Sequence, residues 1–449
     1  MSSSKQASGL NRRDFVKQSS LAMGGLMVAP ALQAQAHITG ADEIKIGLIG
    51  CGGRGTGAAM QALSTKQNVK LVAMADAFKD RLDGSLKNLT NPDYRDWSAD
   101  EAKSFAARID VPAERQFVGF DAYKQVIPLV DVVLLATPPG FRPMHFEAAI
   151  QAGKHVFMEK PVATDIPGIR KVLAAAEMAK QKKLNVVVGL QRHYQKVYTE
   201  WVERLHAGAI GDIHTARVYW NSGGVWVRER KKGQTEMEYQ MRNWYYFNWL
   251  CGDHITEQHI HNLDVGNWVM QAHPVRAHGM GGREVRKGKD HGQIFDHHVV
   301  EFEYANGARM FSQCRHIKGC MDRVSEAFQG SGGYAPQPGV INTSGHYTIW
   351  KHRGKKDPNP YQVEHDVLFE AIAKGDYKFA DAENGANATM TALLGRAATY
   401  SGKVVEWDEL MQSNESLMPQ TFAFDAAPPV MPDKNGHYPI PVPGQTMPF

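Results

Sequence analysis

Glu43-Ile44-Lys45-Ile46-Gly47-Leu48-Ile49-Gly50-Cys51-Gly52-Gly53-Arg54-Gly55 is the stretch whose reading decides the fold. Its apolar run reads as a buried strand, and an Ala-rich helical pattern, Ala58 to Leu63, follows directly. Between them lies Gly50-x-Gly52-x-x-Gly55, so strand, glycine turn and helix come in the order that a dinucleotide fingerprint requires. Gly50 permits the tight turn, Gly52 lets backbone approach a diphosphate, and Gly55 lets helix and strand pack closely. Gly53 and Arg54 complete the turn, and the diphosphate would rest on the free N–H groups of the helix start.

A second apolar run, Val69 to Ala75, ends in Asp76. The carboxylate lies roughly 20–30 residues past the first glycine, where an acidic group accepts bonds from the adenosine ribose hydroxyls. It would repel a 2′-phosphate, so the expected cofactor is NAD rather than NADP, although Lys79 and Arg81 stand close by.

The 449 residues, 43% hydrophobic and 22% charged, suit a soluble globular chain of two domains. A formal net charge of +4 is small for this length and favours neither a nucleic-acid nor a membrane partner. The four cysteines lack metal-knuckle spacing; Cys314 and Cys320 would pair only in an oxidising compartment, and free buried thiols are the expectation. Residues 1–36 stand outside the fold. Asn11-Arg12-Arg13-Asp14-Phe15-Val16-Lys17, a mildly apolar run from Leu21 to Leu32 and Ala34-Gln35-Ala36 together resemble a twin-arginine export signal. The resemblance implies a protein carried folded into a periplasm, which offers no obvious pool of soluble nicotinamide. An enzyme there is expected to keep its cofactor and recycle it, with no stable membrane anchor.

Further along, Val130 to Thr137 is a continuous apolar run suited to a central parallel strand, and Thr137-Pro138-Pro139-Gly140 is the loop at its carboxyl end, where cofactors are met. His145 begins a helix; His155 to Met158 is a short strand ending in Glu159-Lys160-Pro161; Asn185 to Leu190 is another, leading to Gln191-Arg192-His193-Tyr194. With the glycine turn and Asp76, the series Ala136-Thr137-Pro138-Pro139, His145, Glu159-Lys160-Pro161 resembles the Gfo/Idh/MocA oxidoreductases, a family that includes inositol dehydrogenase and glucose–fructose oxidoreductase. The resemblance spans roughly residues 42 to 405. It implies that Lys160 is a catalytic residue near the nicotinamide, with Thr137, Pro138, His145 and Glu159 around the cofactor.

In the second half, Cys251 to Asp264 carries the strongest constellation. Read as one helix, it places Asp253, Glu257 and His261 on one polar face. The resemblance matches His261 to the family's substrate histidine and Glu257 to the acidic position four residues before it, where aspartate is more usual. Three readings stay open from the residues: a substrate-contacting catalytic helix, a metal site, or a polar core helix. The spacing lacks His-Glu-x-x-His, and no metal is expected. His297 and His298 alternate within a β pattern and should face opposite ways. Residues 223 to 249, rich in Trp, Tyr and Arg, read as a substrate-side loop with few regular features. Asn306-Gly307 signals a hairpin, Gly330 to Gly333 and Pro336 to Pro338 read as loops, and 362–373 and 386–400 have helical patterns. From about Gln420 a Pro-rich tail is expected to be extended, over the surface or onto a neighbouring subunit.

The expected fold is therefore α/β: an N-terminal Rossmann doubly wound parallel sheet at 42–165, then a C-terminal α+β domain with a largely antiparallel open sheet at 166–405. A strand near 185–190 and the terminal helices should pack on the first domain, with 406–449 as tail. The expected activity is hydride transfer between a sugar, cyclitol or glycoside hydroxyl and tightly bound nicotinamide. His261 would serve as general acid/base and Lys160 as orienting or proton-transfer group, while Glu257 would orient the histidine or bind a hydroxyl. Arg192, His193 and Asp253 are further candidate substrate contacts. The alternatives are NAD-dependent glycoside hydrolysis through transient oxidation, elimination and re-reduction, and a non-catalytic sugar- or dinucleotide-binding protein. A homo-oligomer is expected by resemblance.

Overall fold

The computed structural model describes residues 42–91, 99–354 and 356–448. The export-signal expectation lies outside the described residues. Six strands form a parallel sheet: β1 (Ile44–Ile49), β2 (Val69–Asp76), β3 (Gln116–Val118), β4 (Val132–Leu135), β5 (His155–Met158) and β6 (Val186–Val188). Their order is β3-β2-β1-β4-β5-β6, so the chain reverses direction across the sheet between β1 and β4. In open α/β sheets the crevice at that switch point, beyond the carboxyl ends of the strands, receives the ligand. Helix Gly53–Leu63 leaves β1 through the glycine turn. Gly50 there has φ +98, and a Cβ on Gly55 would sit 1.9 Å from the Gly50 carbonyl oxygen. Only a hydrogen at residue 55 lets the helix start lie on the strand end.

The remaining strands form one nine-stranded sheet. They are β7 (Ile213–Ser222), β8 (Arg276–Gly282), β9 (His297–Glu303), β10 (Arg309–His316), β11 (Arg323–Gly330), β12 (Gly333–Gln337), β13 (Val340–Thr343), β14 (Thr348–Lys351) and β15 (Val405–Glu406). The order is β14-β13-β12-β11-β7-β10-β9-β8-β15, antiparallel throughout except for the parallel β7–β10 pair. The Asn306-Gly307 hairpin joins β9 to β10 as expected. One face of the sheet packs on helices Ile260–Met270 and Ala382–Ser401, and the latter also packs on helix Ile166–Gln181 and β6. Helix Pro360–Lys374 lies against helix Gly53–Leu63.

Several local expectations are corrected. Pro336 belongs to strand β12, not a loop; the β12–β13 register shifts between Tyr334 and Gln337, where a residue without N–H cannot support the ladder. Residues 223–249 carry helix Glu236–Arg242 and the start of the turn Asn248–Cys251 rather than an irregular loop. Cys51, Cys251 and Cys314 are free and buried, while Cys320 is free and exposed. The helix expected across 253–261 is two: His254–Glu257, then Ile260–Met270, broken at Gln258-His259. Asp253 before the first has φ +74, a conformation an L residue adopts at a cost.

Candidate active site

A cavity of about 540 Å³ opens at the switch point, between the parallel sheet and segments of the second half of the chain. Gly50, Gly52 and Gly53 line one end. Helix Gly53–Leu63 begins there with no side-chain cap and no acid in its first turn, so its positive end is bare. A Cβ on Gly52 or Gly53 would meet nothing within 4 Å, which leaves the cradle open for a diphosphate. Arg54 lines the cavity too, with Nε 2.7 Å from Glu159 Oε1 and its guanidinium over the Tyr361 ring.

Asp76 ends β2 at the same opening. Its carboxylate accepts the Cys51 N–H at 2.7 Å and the Phe78 N–H at 2.9 Å, which ties the glycine turn to the end of β2. Burial pushes its carboxyl above the ordinary range, against the opposing pull of those two N–H groups. Thr137, Pro138 and His145 line the cavity on the β4 side. His145 Nδ1 lies 3.3 Å from Thr137 Oγ1, and burial lowers the imidazole to about 3, so the ring is neutral. Arg142, which the sequence did not single out, braces this wall. Fully buried, it donates to the carbonyls of Glu159 at 2.9 Å and Thr137 at 2.6 Å, and so locks the ends of β4 and β5 together. An arginine opening the helix soon after Pro138-Pro139 was the available signal.

Lys160, Glu257 and His261 come together at the other end of the cavity. Lys160 Nζ donates to the Glu257 carbonyl at 2.5 Å and lies 3.1 Å from Glu257 Oε1. Glu257 therefore holds the lysine, not the histidine: His261 Nδ1 is buried with no hydrogen-bond partner among the described residues. The His261 ring stacks on Trp220, centroids 6.0 Å apart, and its pKa is driven well below the ordinary imidazole range by burial and by Lys160. The ring is therefore neutral. Trp226, Arg228, Arg242 and Trp244, from the segment read as substrate-side, also line the cavity. Gln191, Gln258 and Tyr361 do as well, and carried no recognisable motif.

Three candidate substrate contacts are placed elsewhere. Arg192 forms a buried ion pair with Glu326, whose carboxylate also accepts from Tyr198 and Asn262. His193 is held by Asp264 at 2.8 Å and stacks on Trp268. Asp253, fully buried, faces the interior because the chain reverses at its positive φ. It accepts from the His254 N–H and Nδ1, the Phe295 N–H and the Tyr400 hydroxyl. Asp253, His254 and His298 are spaced as metal ligands would be among the described residues. With both carboxylate oxygens already serving two donors each, the cluster reads as an internal hydrogen-bond network. His297 and His298 do point to opposite faces, one half-exposed and one buried.

A parallel sheet with a glycine cradle at its switch point, facing a lysine and a neutral histidine, defines a nicotinamide-dependent oxidoreductase. Residues 44–190 match the model of the Gfo/Idh/MocA oxidoreductase family, NAD-binding Rossmann fold. The chain is an oxidoreductase, and over those residues it is similar to that family. An inositol 2-dehydrogenase of Azotobacter vinelandii is 28% identical over 331 residues, covering 69% of this chain and 86% of that enzyme. Among solved structures, the aldose-aldose oxidoreductase from Caulobacter crescentus has a TM-score of 0.60 at 16% identity, covering 81% of this chain and 100% of that one. The scyllo-inositol dehydrogenase from Lactobacillus casei, with bound NAD(H) and scyllo-inositol, has a TM-score of 0.59 at 19% identity, covering 82% and 100%. These two likenesses are of fold.

Proposed function

We propose that this protein oxidises and reduces a secondary hydroxyl of a sugar, cyclitol or glycoside against tightly held NAD. The observation that carries the reading is one cavity lined at one end by the glycine cradle and Asp76, and at the other by Lys160, Glu257 and His261. Inositol and aldose chemistry in the relatives supports the substrate class. The bare helix start, Gly52, Gly53 and Asp76 would hold the cofactor, which when bound supplies the hydride acceptor or donor. His261, neutral and buried, takes the hydroxyl proton on oxidation and returns it on reduction. Lys160, held by Glu257, donates to the substrate oxygen and fixes its position before the proton moves. Asp76 favours the free ribose hydroxyls of NAD over a 2′-phosphate.

Mass spectrometry of the cofactor released from native protein, followed by a glycoside and cyclitol panel read by reduced-nicotinamide absorbance, tests this. A chain that carries no dinucleotide and turns over no member of the panel refutes it. A redox-neutral cleavage of a glycoside is the second reading, favoured by the C-terminal segment: Phe424 packs on Phe78 and Phe120 beside the cavity and would hinder cofactor exchange. Aglycone release without net reduced cofactor distinguishes it from net oxidation.

The histidine makes a pH prediction. Because the folded-state pKa of His261 is lowered, the imidazole stays unprotonated as pH falls through the ordinary histidine range, 6.5 included. The acid limb of kcat/KM in the oxidative direction is expected well below that value. A limb at the ordinary imidazole position would mean a different base. Export through the first 36 residues is also part of the proposal, and the N-terminal residue of protein recovered from the native cell reads it out. So is a homo-oligomer formed through the outer face of the nine-stranded sheet. There Met280, Val299 and Phe311 stand exposed on adjacent strands, and the mass in solution by light scattering checks it.

A further inference from the structure

The adenosine side of the cavity carries more positive charge than the glycine cradle explains. Arg81, Arg228 and Arg242 all line it. Arg242 is committed: two of its nitrogens lie 3.0 Å from the oxygens of Asp80, its Nε donates to Glu238 at 3.1 Å, and its guanidinium lies over the Phe78 ring. Arg81 and Arg228 are not. Among the described residues neither guanidinium has an ion-pair or hydrogen-bond partner, and Arg228 only covers the face of Trp226, 4.8 Å from its centroid. Asp76 and Asp80 act on Arg81 only from beyond contact, while partial burial with Arg81 and Arg242 nearby works against the charge of Arg228. An anion between them relieves this.

Arg228 comes from the second half of the chain, yet it is not carried on a loose loop. Its N–H donates to Asn243 Oδ1 at 2.9 Å, and the buried Asn243 side chain donates in turn to the Asp290 carbonyl at 2.8 Å. The C-terminal segment fastens the same region. Thr235 Oγ1 donates to the Phe424 carbonyl, Gln240 Nε2 to the Val430 carbonyl at 2.7 Å, and Tyr438 to Glu236. The Arg242–Asp80 pair then latches the segment to the helix that follows β2. The backbone at Arg228 is thus fixed, and its guanidinium reaches the cavity from an ordered segment, which lowers the cost of meeting an anion.

We propose that Arg228 and Arg81 together bind a phosphate group of the dinucleotide, so that the cofactor is gripped from both halves of the chain. The proposal rests on the reading that this cavity holds a dinucleotide. Guanidinium donors suit phosphate because their planar fork matches two of its oxygens. The phosphate belongs either to the diphosphate bridge, common to NAD and NADP, or to the 2′-position, present in NADP alone.

Dissociation constants of NAD and NADP, measured by calorimetry on cofactor-stripped full-length protein, decide it. The chains are the natural one, Arg228→Gln and Lys232→Gln; the last removes the same charge from the same segment without touching the cavity. Thermal melts confirm that each is folded. Arg228→Gln is expected to weaken binding roughly 10- to 100-fold, the loss of a charge-assisted hydrogen bond, while Lys232→Gln stays within about twofold. Equal loss for both nucleotides assigns the diphosphate, and loss confined to NADP assigns the 2′-phosphate. Unchanged affinity in Arg228→Gln, or the same loss in Lys232→Gln, overturns the proposal and leaves the dinucleotide reading standing. If the natural chain binds neither nucleotide, that underlying reading is what fails.

Discussion

Lys160→Met is expected to lower kcat by roughly 100- to 10,000-fold, the range lost with a positioned acid–base or orienting group, while the bound dinucleotide is retained. The lysine is nine-tenths buried and meets both the carbonyl and the carboxylate of Glu257, so its ammonium cannot wander. Methionine keeps most of the stem volume but can neither donate to a substrate oxygen nor balance Glu257. Part of any stability loss would come from that stranded carboxylate, which Lys160→Met with Glu257→Gln removes. Steady-state kinetics and cofactor stoichiometry on both variants separate the two effects. A single variant with kcat within about threefold of the natural chain would end the catalytic assignment of Lys160.

Arg192→Met should instead strike stability. Its partner Glu326 is completely buried and also takes bonds from Tyr198 and Asn262, and burial already pushes that carboxyl upward. Removing the guanidinium leaves a buried carboxylate without its cation, at about 3–5 kcal/mol. Replacing both partners, Arg192→Met with Glu326→Met, should recover much of the loss, because two apolar side chains need no compensation. Chemical denaturation measures both. Natural stability in Arg192→Met together with a raised KM would restore this arginine to the substrate, against the geometry.

What could be read without coordinates was whatever is local in the chain. The β1–turn–helix unit, Asp76 at the end of β2, the Thr137-Pro138 loop and Lys160 after β5 each follow from apolar periodicity and from glycine or proline at a fixed offset. A parallel strand presents its carboxyl-end residues to the same crevice as its neighbours, so a linear list of strand ends was already a list of the residues on one side of the site. His261 and Glu257 were also legible, being four residues apart in a recognisable pattern, and both do reach the cavity.

Tertiary structure decided which polar side chain spends its hydrogen bonds internally. Arg192, His193 and Asp253 have the chemistry of substrate contacts, but Glu326, Asp264 and Tyr400 come from distant strands and helices and claim them first. No pattern along the chain announces such pairings. The positive φ of Asp253 and the break at Gln258-His259 are likewise set by packing: Asp253 is buried away from the cavity, while Glu257 and His261 still line it. Conversely Arg142, Tyr361 and Arg228 look unremarkable in sequence and line or brace the cavity because the elements that bear them pack there. Which strand ends form the cradle follows from covalent order and backbone preference; which charges are left free to meet a ligand follows from competition among buried partners, and that competition exists only in three dimensions.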